Sequence, residues 1–318
     1  MQAVFPAQDQ QSIDALHDGL EKIFKISEYL NFPFTLDEVA DYFLPRTNIT
    51  GEQLRQMLSE RNFEDIPFHI RDGYLFTKAR EVDVPRLERE RMSIAKLASA
   101  EDFARVLKRL VPFIRTIAVT GSVAYGSADK WDDIDLFVVT KRNRLWLATF
   151  LGLAFVRLTK LLGLRPPHLS LFCLSYVHDE QGFANESQSN RTNPLFAREL
   201  LKAKPVAGVG YYLRLLERNK WVWTLYSTPY AAKLRDLKTA SERPSVDRDR
   251  GLFSFVLDWI EGIMFPFLSN YLRMRAYLTN LKLKSQGKSL RVFEPRMSTT
   301  SCVYTSNFYE WLLDLWGK

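Results

Sequence analysis

The chain has 318 residues, 46% of them hydrophobic and 25% charged, with a formal net charge of +7. That supports roughly two globular domains and excludes a globally disordered chain. The positive excess favours anionic partners such as nucleotides or nucleic acid without selecting one.

The N-terminal "MQAVFPAQDQ" lacks a basic start followed by an apolar run, so no signal peptide is expected and a reducing cytoplasm is the expected compartment. Residues 12–82 read as a small unit of their own. "IDALHDGLEKIFKISEYLN" has apolar residues at helical spacing. "TLDEVADYFL" opens on Thr35 with Glu38 three residues on, a capping box. "TNITGEQLRQMLSERN" reads as a third helix starting near Thr50, and "FHIRDGYLFTK" as a hairpin about Asp72-Gly73. Three helices and a hairpin are the order of a winged helix-turn-helix, whose third helix usually enters the major groove. Here that helix carries Gln53, Arg55, Gln56 and Arg61, and the wing His69, Arg71 and Lys78. Glu52 and Glu60 on the same helix oppose a DNA-reading role, so packing on the rest of the chain or on protein stays open.

Residues 83–110 read as a connecting helix, interrupted near Ala98-Ser99, with Pro85 in its first turn. In 111–185, "FIRTIAVTG" and "IDLFVVT" read as strands, "RLWLATFLGLAFVRLTKLLG" as a helix and "HLSLFCLSYVH" as a third strand, which predicts a mixed α/β sheet. Residues 186–318 read as a helical C-terminal region: "NPLFARELLKAKPV", "VGYYLRLLERNKWVWTLY", a long helix over 252–284 and "NFYEWLLDLW". The polar stretch 236–251 is the expected linker. Neither "LWLATFLGLAFVRLTKLLGL", with Arg157 and Lys160, nor "GLFSFVLDWIEGIMFPFLSNYL", with Asp258 and Glu261, offers a clean span of about 20 apolar residues. Both are expected to be buried or amphipathic helices. Trp221, Trp223, Tyr211, Tyr212 and Tyr226 could stack a base, but aromatics at helical spacing are more often core. The basic "LKLKSQGKSLR" could face RNA or simply be a solvated loop. Cys173 and Cys302 make neither a disulfide framework nor a zinc spacing.

The stretch "VTGSVAYGSADKWDDIDLFVVT" concentrates chemistry. Asp133 and Asp135, two apart at the head of a strand, project to one face, with Ile134, Leu136 and Val138 on the other. Neighbouring carboxylates repel unless a cation lies between them, and oxygen ligands suit Mg2+. Gly121 and Ser122 stand where a strand turns into a short helix, and backbone N–H groups there can receive phosphate.

"GSVAYGSADKWDDIDLFVV" resembles the signature of the DNA polymerase β-type nucleotidyltransferase superfamily: a Gly-Ser pair ending a strand, a spacer of about ten residues, then Asp-x-Asp at the next strand. Ala124 and Gly126 fit the Gly-Ser-x-Ala-x-Gly form of small prokaryotic members. The resemblance covers residues 115–140 and implies an α+β fold with a polymerase-β-like mixed sheet, here with a winged-helix-like N-terminal module and a helical C-terminal region. It implies Mg2+ or Mn2+ on Asp133 and Asp135. It further implies an NTP held by Gly121, Ser122 and Gly126, and transfer of NMP to a hydroxyl of RNA or a tRNA end, a protein or a small molecule. One of Lys141, Arg142 and Arg144 could neutralise the departing pyrophosphate, or the three could simply form a solvated basic turn. Active members usually have a third carboxylate on a later strand. Here Ser170 and Ser175 stand in its place, leaving Asp179 or Glu180 reaching back, Glu199 from the next helix, or a lost ligand. His168 could act as a base, though a histidine at a strand start is more often structural. The alternative is a catalytically weakened nucleic-acid-binding or regulatory protein, which could use RNA or DNA contacts of the winged helix.

Overall fold

The computed structural model describes residues 10–30, 32–46, 49–60, 68–71, 73–77, 86–163, 172–240, 253–287 and 292–316. Two compact units are distinguished: residues 1–87 with 221–232, and residues 88–220 with 233–318.

The first unit contains α1 (Gln10–Leu30), β1 (Phe34–Thr35), α2 (Leu36–Tyr42), α3 (Gly51–Glu60), β2 (Phe68–Arg71) and β3 (Tyr74–Thr77). The capping box at α2 is present: Glu38 N–H donates to Thr35 Oγ1 at 3.1 Å and Thr35 N–H to Glu38 Oε2 at 2.8 Å. Thr50 and Gln53 make the same reciprocal pair at the start of α3, at 2.8 and 3.1 Å. The strands form an antiparallel sheet of order β1-β3-β2. The two-residue β1 had no alternation to reveal it. Arg61, Asp72 and Lys78 lie outside the described residues, as do Pro85, His168 and Ser170.

In chain order α4 (Arg86–Leu110) comes after the hairpin, unbroken at Ala98-Ser99 where an interruption was expected. Ser99 Oγ donates to Ala95 O at 3.1 Å, so the serine bonds the preceding turn rather than leaving the helix.

The second unit is built on β4 (Ile114–Thr120), α5 (Gly121–Tyr125), β5 (Ile134–Thr140), α6 (Leu145–Leu161), β6 (Phe172–Asp179), α7 (Glu180–Ser189), α8 (Pro194–Lys202), β7 (Lys204–Ala207) and α9 (Val209–Arg218). α10 (Trp221–Leu225) and the first part of α11 (Ser227–Ala240) belong to the first unit, and α12 (Phe253–Ser285), β8 (Phe293–Met297), β9 (Ser301–Ser306) and α13 (Asn307–Trp316) continue the second. The sheet is mixed, of order β7-β4-β5-β6-β9-β8, with β5 and β6 parallel and the other described pairs antiparallel.

Residues beyond 185 are mostly helical but also supply three of these strands. "KPVA", expected inside a helix, is β7, an edge position where Pro205 need not donate to the ladder. The β8–β9 hairpin turns through Ser298-Thr299-Thr300, which lacks the Gly or Asn signals of a tight hairpin. "VGYYLRLLERNKWVWTLY" is split into α9 and α10 at Asn219, whose Nδ2 donates to Leu215 O at 2.7 Å. The first part of the expected linker, Asp236 to Ala240, closes α11, and 241–252 lie outside the described residues.

One sheet face buries Ile117, Val119, Leu136, Val138 and Val177 against Ala104 and Leu107 of α4, Leu145 and Trp146 of α6, and Leu268 and Leu272 of α12. Glu261 of α12 accepts the N–H groups of Trp146 at 2.6 Å and Leu147 at 2.8 Å, so an acid in the apolar α12 segment caps α6. The other face carries Phe137, edge to face with Phe183 of α7 and Tyr212 of α9. Tyr212 is buried and its hydroxyl donates to Leu200 O at 2.7 Å, so it belongs to the core. Among the described residues no helix is long and apolar enough to cross a membrane.

Candidate metal and nucleotide site

Strand β4 ends at Thr120, which pairs with Asp135 on β5. The chain then turns through Gly121, at φ +63°, into the single turn of α5, and leaves it through Gly126, at φ +76°. Left-handed backbone favours glycine at both points. At Gly121 there is a second reason: a Cβ would run into the Asp135 carboxylate. The small-residue turn and the aspartate therefore occupy one place in space although fourteen positions separate them in the chain.

Asp133 is exposed just before β5, and Asp135 is half-buried within it. Across the parallel ladder Asp135 faces Cys173 of β6. One ligand atom from each of Asp133, Asp135 and Cys173 lies within 4.8 Å of the others. The register slips between Asp135 and Phe137, so Phe137 faces Tyr176. The extra residue in β6 brings the Ser175 hydroxyl to Asp135, where it donates to Oδ1. Burial and the Asp133 charge hold the Asp135 carboxyl well above the usual carboxylate range, with Glu199 adding to the effect. Asp133 is raised too, mainly by desolvation. Burial and the two aspartates push the Cys173 thiol far up, so it stays protonated. Two carboxylates in each other's field, Asp135 eased by the Ser175 hydroxyl and Asp133 by the Cys173 thiol and the Lys96 charge, form a site that a divalent cation would stabilise. The donor set fits Mg2+ through the two aspartates; a neutral thiol adds little for so hard an ion.

Lys96, fully buried on α4, was not foreseen. Its ammonium donates to the carbonyls of Asp129 and Asp132, and so fixes the loop that delivers Asp133. Asp129 Oδ1 tightens the same loop by accepting Trp131 N–H at 2.7 Å and Asp132 N–H at 3.0 Å. The signal for Lys96 was its place on the stripe Ser93, Ala100, Phe103, Ala104 and Leu107, which a surface lysine would not share. Cys173 carried no such signal, because the cross-strand register alone sets it beside Asp135.

Lys141 and Arg142 follow the far end of β5. Lys141 is six positions along the strand from Asp135, about 20 Å, so neither basic side chain reaches the carboxylate pair. Lys141 N–H donates to Phe113 O at 2.8 Å there. Arg144 is buried and pairs with Asp258. Asp179 and Glu180 are at that end as well. Asp179, fully buried, caps α7 by accepting Gly182 N–H at 2.7 Å and also accepts Asn143 N–H at 3.0 Å. Glu180 is paired with Arg115 at 2.8 Å. Neither reaches back to the site. Glu199 of α8 is on the correct face: Tyr125, the last residue of α5, donates its hydroxyl to Glu199 Oε1 at 2.8 Å. Arg198 and Lys202 lie over the Tyr125 ring, at 5.7 and 5.5 Å from its centroid.

The family model of the nucleotidyltransferase domain matches residues 100–199, which run from α4 to α8 and include every residue of this site except Lys96 and Lys202. No curated protein and no solved structure matches the chain. Residues 100–199 of this chain are a nucleotidyltransferase domain of the polymerase β-like superfamily.

Proposed function

We propose that the domain transfers a nucleoside monophosphate from an NTP to an acceptor hydroxyl. The observation that carries this reading is the pairing of Asp133 with Asp135 directly over the Gly121 turn, with only Ser175 to relieve Asp135. Asp133 and Asp135 would hold Mg2+ or Mn2+, and the ion would supply positive charge where phosphate oxygens gather it. Gly121 and Ser122 would receive the β- and γ-phosphates, and Gly126 ends the turn that presents them. Lys202 takes the pyrophosphate-side role that Lys141 and Arg142 are too distant to play. Lys96 is a positioning residue acting through the Asp129–Asp133 loop. Glu199 orients Tyr125 beside the phosphate turn. In the reaction the acceptor oxygen bonds to the α-phosphorus as the bond to the bridging oxygen of the β-phosphate breaks. Pyrophosphate and the acceptor's proton are released, and catalysis is positioning plus charge stabilisation. The two free thiols, Cys173 and Cys302, support a cytoplasmic setting.

The test is incubation with each α-labelled NTP, Mg2+ or Mn2+ and cell extract as acceptor source. Label should enter a product with wild type and not with the Asp133→Asn, Asp135→Asn double variant. Absence of product with every NTP and both ions, from folded protein, defeats the reading.

A second reading is favoured by Cys173 occupying the place of a third acid: a weakened enzyme that acts as a nucleic-acid-binding or regulatory protein. The three helices α1, α2 and α3 with the β2–β3 hairpin after them and β1 between α1 and α2 support a winged helix for it. The Glu52–Arg55 ion pair, 3.5 Å on α3, blunts that helix's charge. Binding of labelled duplex DNA or RNA that weakens steeply with salt, without label transfer, would favour it.

A further inference from the structure

A cavity of about 510 Å³ opens beside Asp133 and Cys173 and runs under the sheet between α4, α6 and α12. That volume is in the range of small-molecule sites. Its interior is apolar, formed by Phe103, Leu107, Leu136, Leu153, Val156 and Phe172, while Arg157 and Arg275 stand exposed on its lining. No acid forms an ion pair with either arginine among the described residues; Arg157 donates to the Tyr271 hydroxyl and lies over its ring at 5.2 Å. Among the described residues Asp133 is the one carboxylate of the lining. A nucleotide triphosphate does not need an apolar interior of this size, and a nucleic-acid strand does not fit one.

We infer that this cavity is the acceptor site and takes a single-chain amphiphile, whose apolar chain fills the space between α6 and α12, whose anionic head meets Arg157 and Arg275, and whose hydroxyl faces Asp133. The inference rests on the transfer reading for the word acceptor; binding itself does not. Gly152 of α6 supplies a control, since it lines the cavity and a Cβ there would meet nothing nearer than Leu107 Cδ1 at 3.8 Å. Gly152→Leu therefore fills the space from a helical position that welcomes leucine.

The experiment is calorimetric titration of the full chain, without nucleotide or metal, with 1-lauroyl-glycerol 3-phosphate, monolaurin and glycerol 3-phosphate, each below its micelle concentration. The lauroyl phosphate should bind at least about a hundredfold tighter than glycerol 3-phosphate, because the chain is buried. Gly152→Leu should lose at least about tenfold for both lauroyl compounds, and the Arg157→Gln, Arg275→Gln surface variant about tenfold for the phosphate compound alone. Equal affinity for the lauroyl phosphate and glycerol 3-phosphate overturns the proposal, as does unchanged binding in folded Gly152→Leu. Should that variant not fold, unchanged phosphate preference in the arginine variant overturns it. A parallel titration with Mn2+ and NTP separates the two readings. Nucleotide binding without amphiphile binding sinks the cavity proposal alone, and amphiphile binding without nucleotide binding sinks the transfer reading alone.

Discussion

The two ends of the parallel β5–β6 pair each carry a pair of acids, and the pairs have opposite fates. At the far end Asp179 and Glu180 are adjacent in sequence, yet every strong demand is met: Asp179 by Gly182 and Asn143 N–H groups, Glu180 by Arg115. At the near end Asp133 and Asp135 face each other and a neutral thiol, and among the described residues Ser175 alone donates to Asp135 from a side chain. Carboxylates satisfied by the protein hold structure together, whereas carboxylates left in each other's field store an unfavourable interaction that a cation would release.

The sharpest way to break this comparison is Asp135→Asn. It should lower transfer by at least about a hundredfold, as expected if Asp135 holds the proposed cation, while thermal stability of the metal-free protein stays level or rises because a like-charge contact is gone. A fall in stability would show that Asp135 is structural after all. Asp179→Ala should do the reverse. It removes a helix cap and orphans two N–H groups, costing about 2 kcal/mol in urea unfolding, with transfer per folded molecule retained.

The far end is also acid-sensitive through His178, buried among Phe137, Tyr176 and Phe183. Burial, with a smaller contribution from Arg296, lowers its pKa from 6.5 to about 4. The unfolded chain therefore binds a proton that the folded one refuses as pH falls from 6.5 towards about 4, and stability is lost over that window. The loss should reach about 2 kcal/mol by a pH of about 4.5. His178→Phe should flatten this part of the stability-versus-pH curve measured by urea midpoints. The smallest effect is expected from Cys173→Asp. A third carboxylate should lower the Mg2+ concentration needed for half-maximal thermal stabilisation by about tenfold, and Cys173→Ser should leave it unchanged.

Much of the near end was legible in the sequence. Asp133 and Asp135 two positions apart at the head of β5, the Gly-Ser turn before them and the caps at Thr35 and Thr50 are local patterns, governed by residues two to four positions apart. The basic residues Lys141 and Arg142 follow the far end of β5, and their adjacency to the strand in sequence does not tell which of its ends they occupy. The β8–β9 hairpin and β7 went unread because their turns and prolines resemble loops until a sheet edge receives them.

The sequence by itself therefore determined the nucleotidyltransferase domain over residues 100–199, the carboxylate pair and the glycine turn, since each is a short-range pattern with a definite backbone consequence. Tertiary structure alone decided that Cys173 stands opposite Asp135, that Lys96 holds the loop of Asp133, and that Asp179 is spoken for. Those facts depend on strand register and burial, where a partner many residues away, and not the neighbour in the chain, sets whether a charge is satisfied.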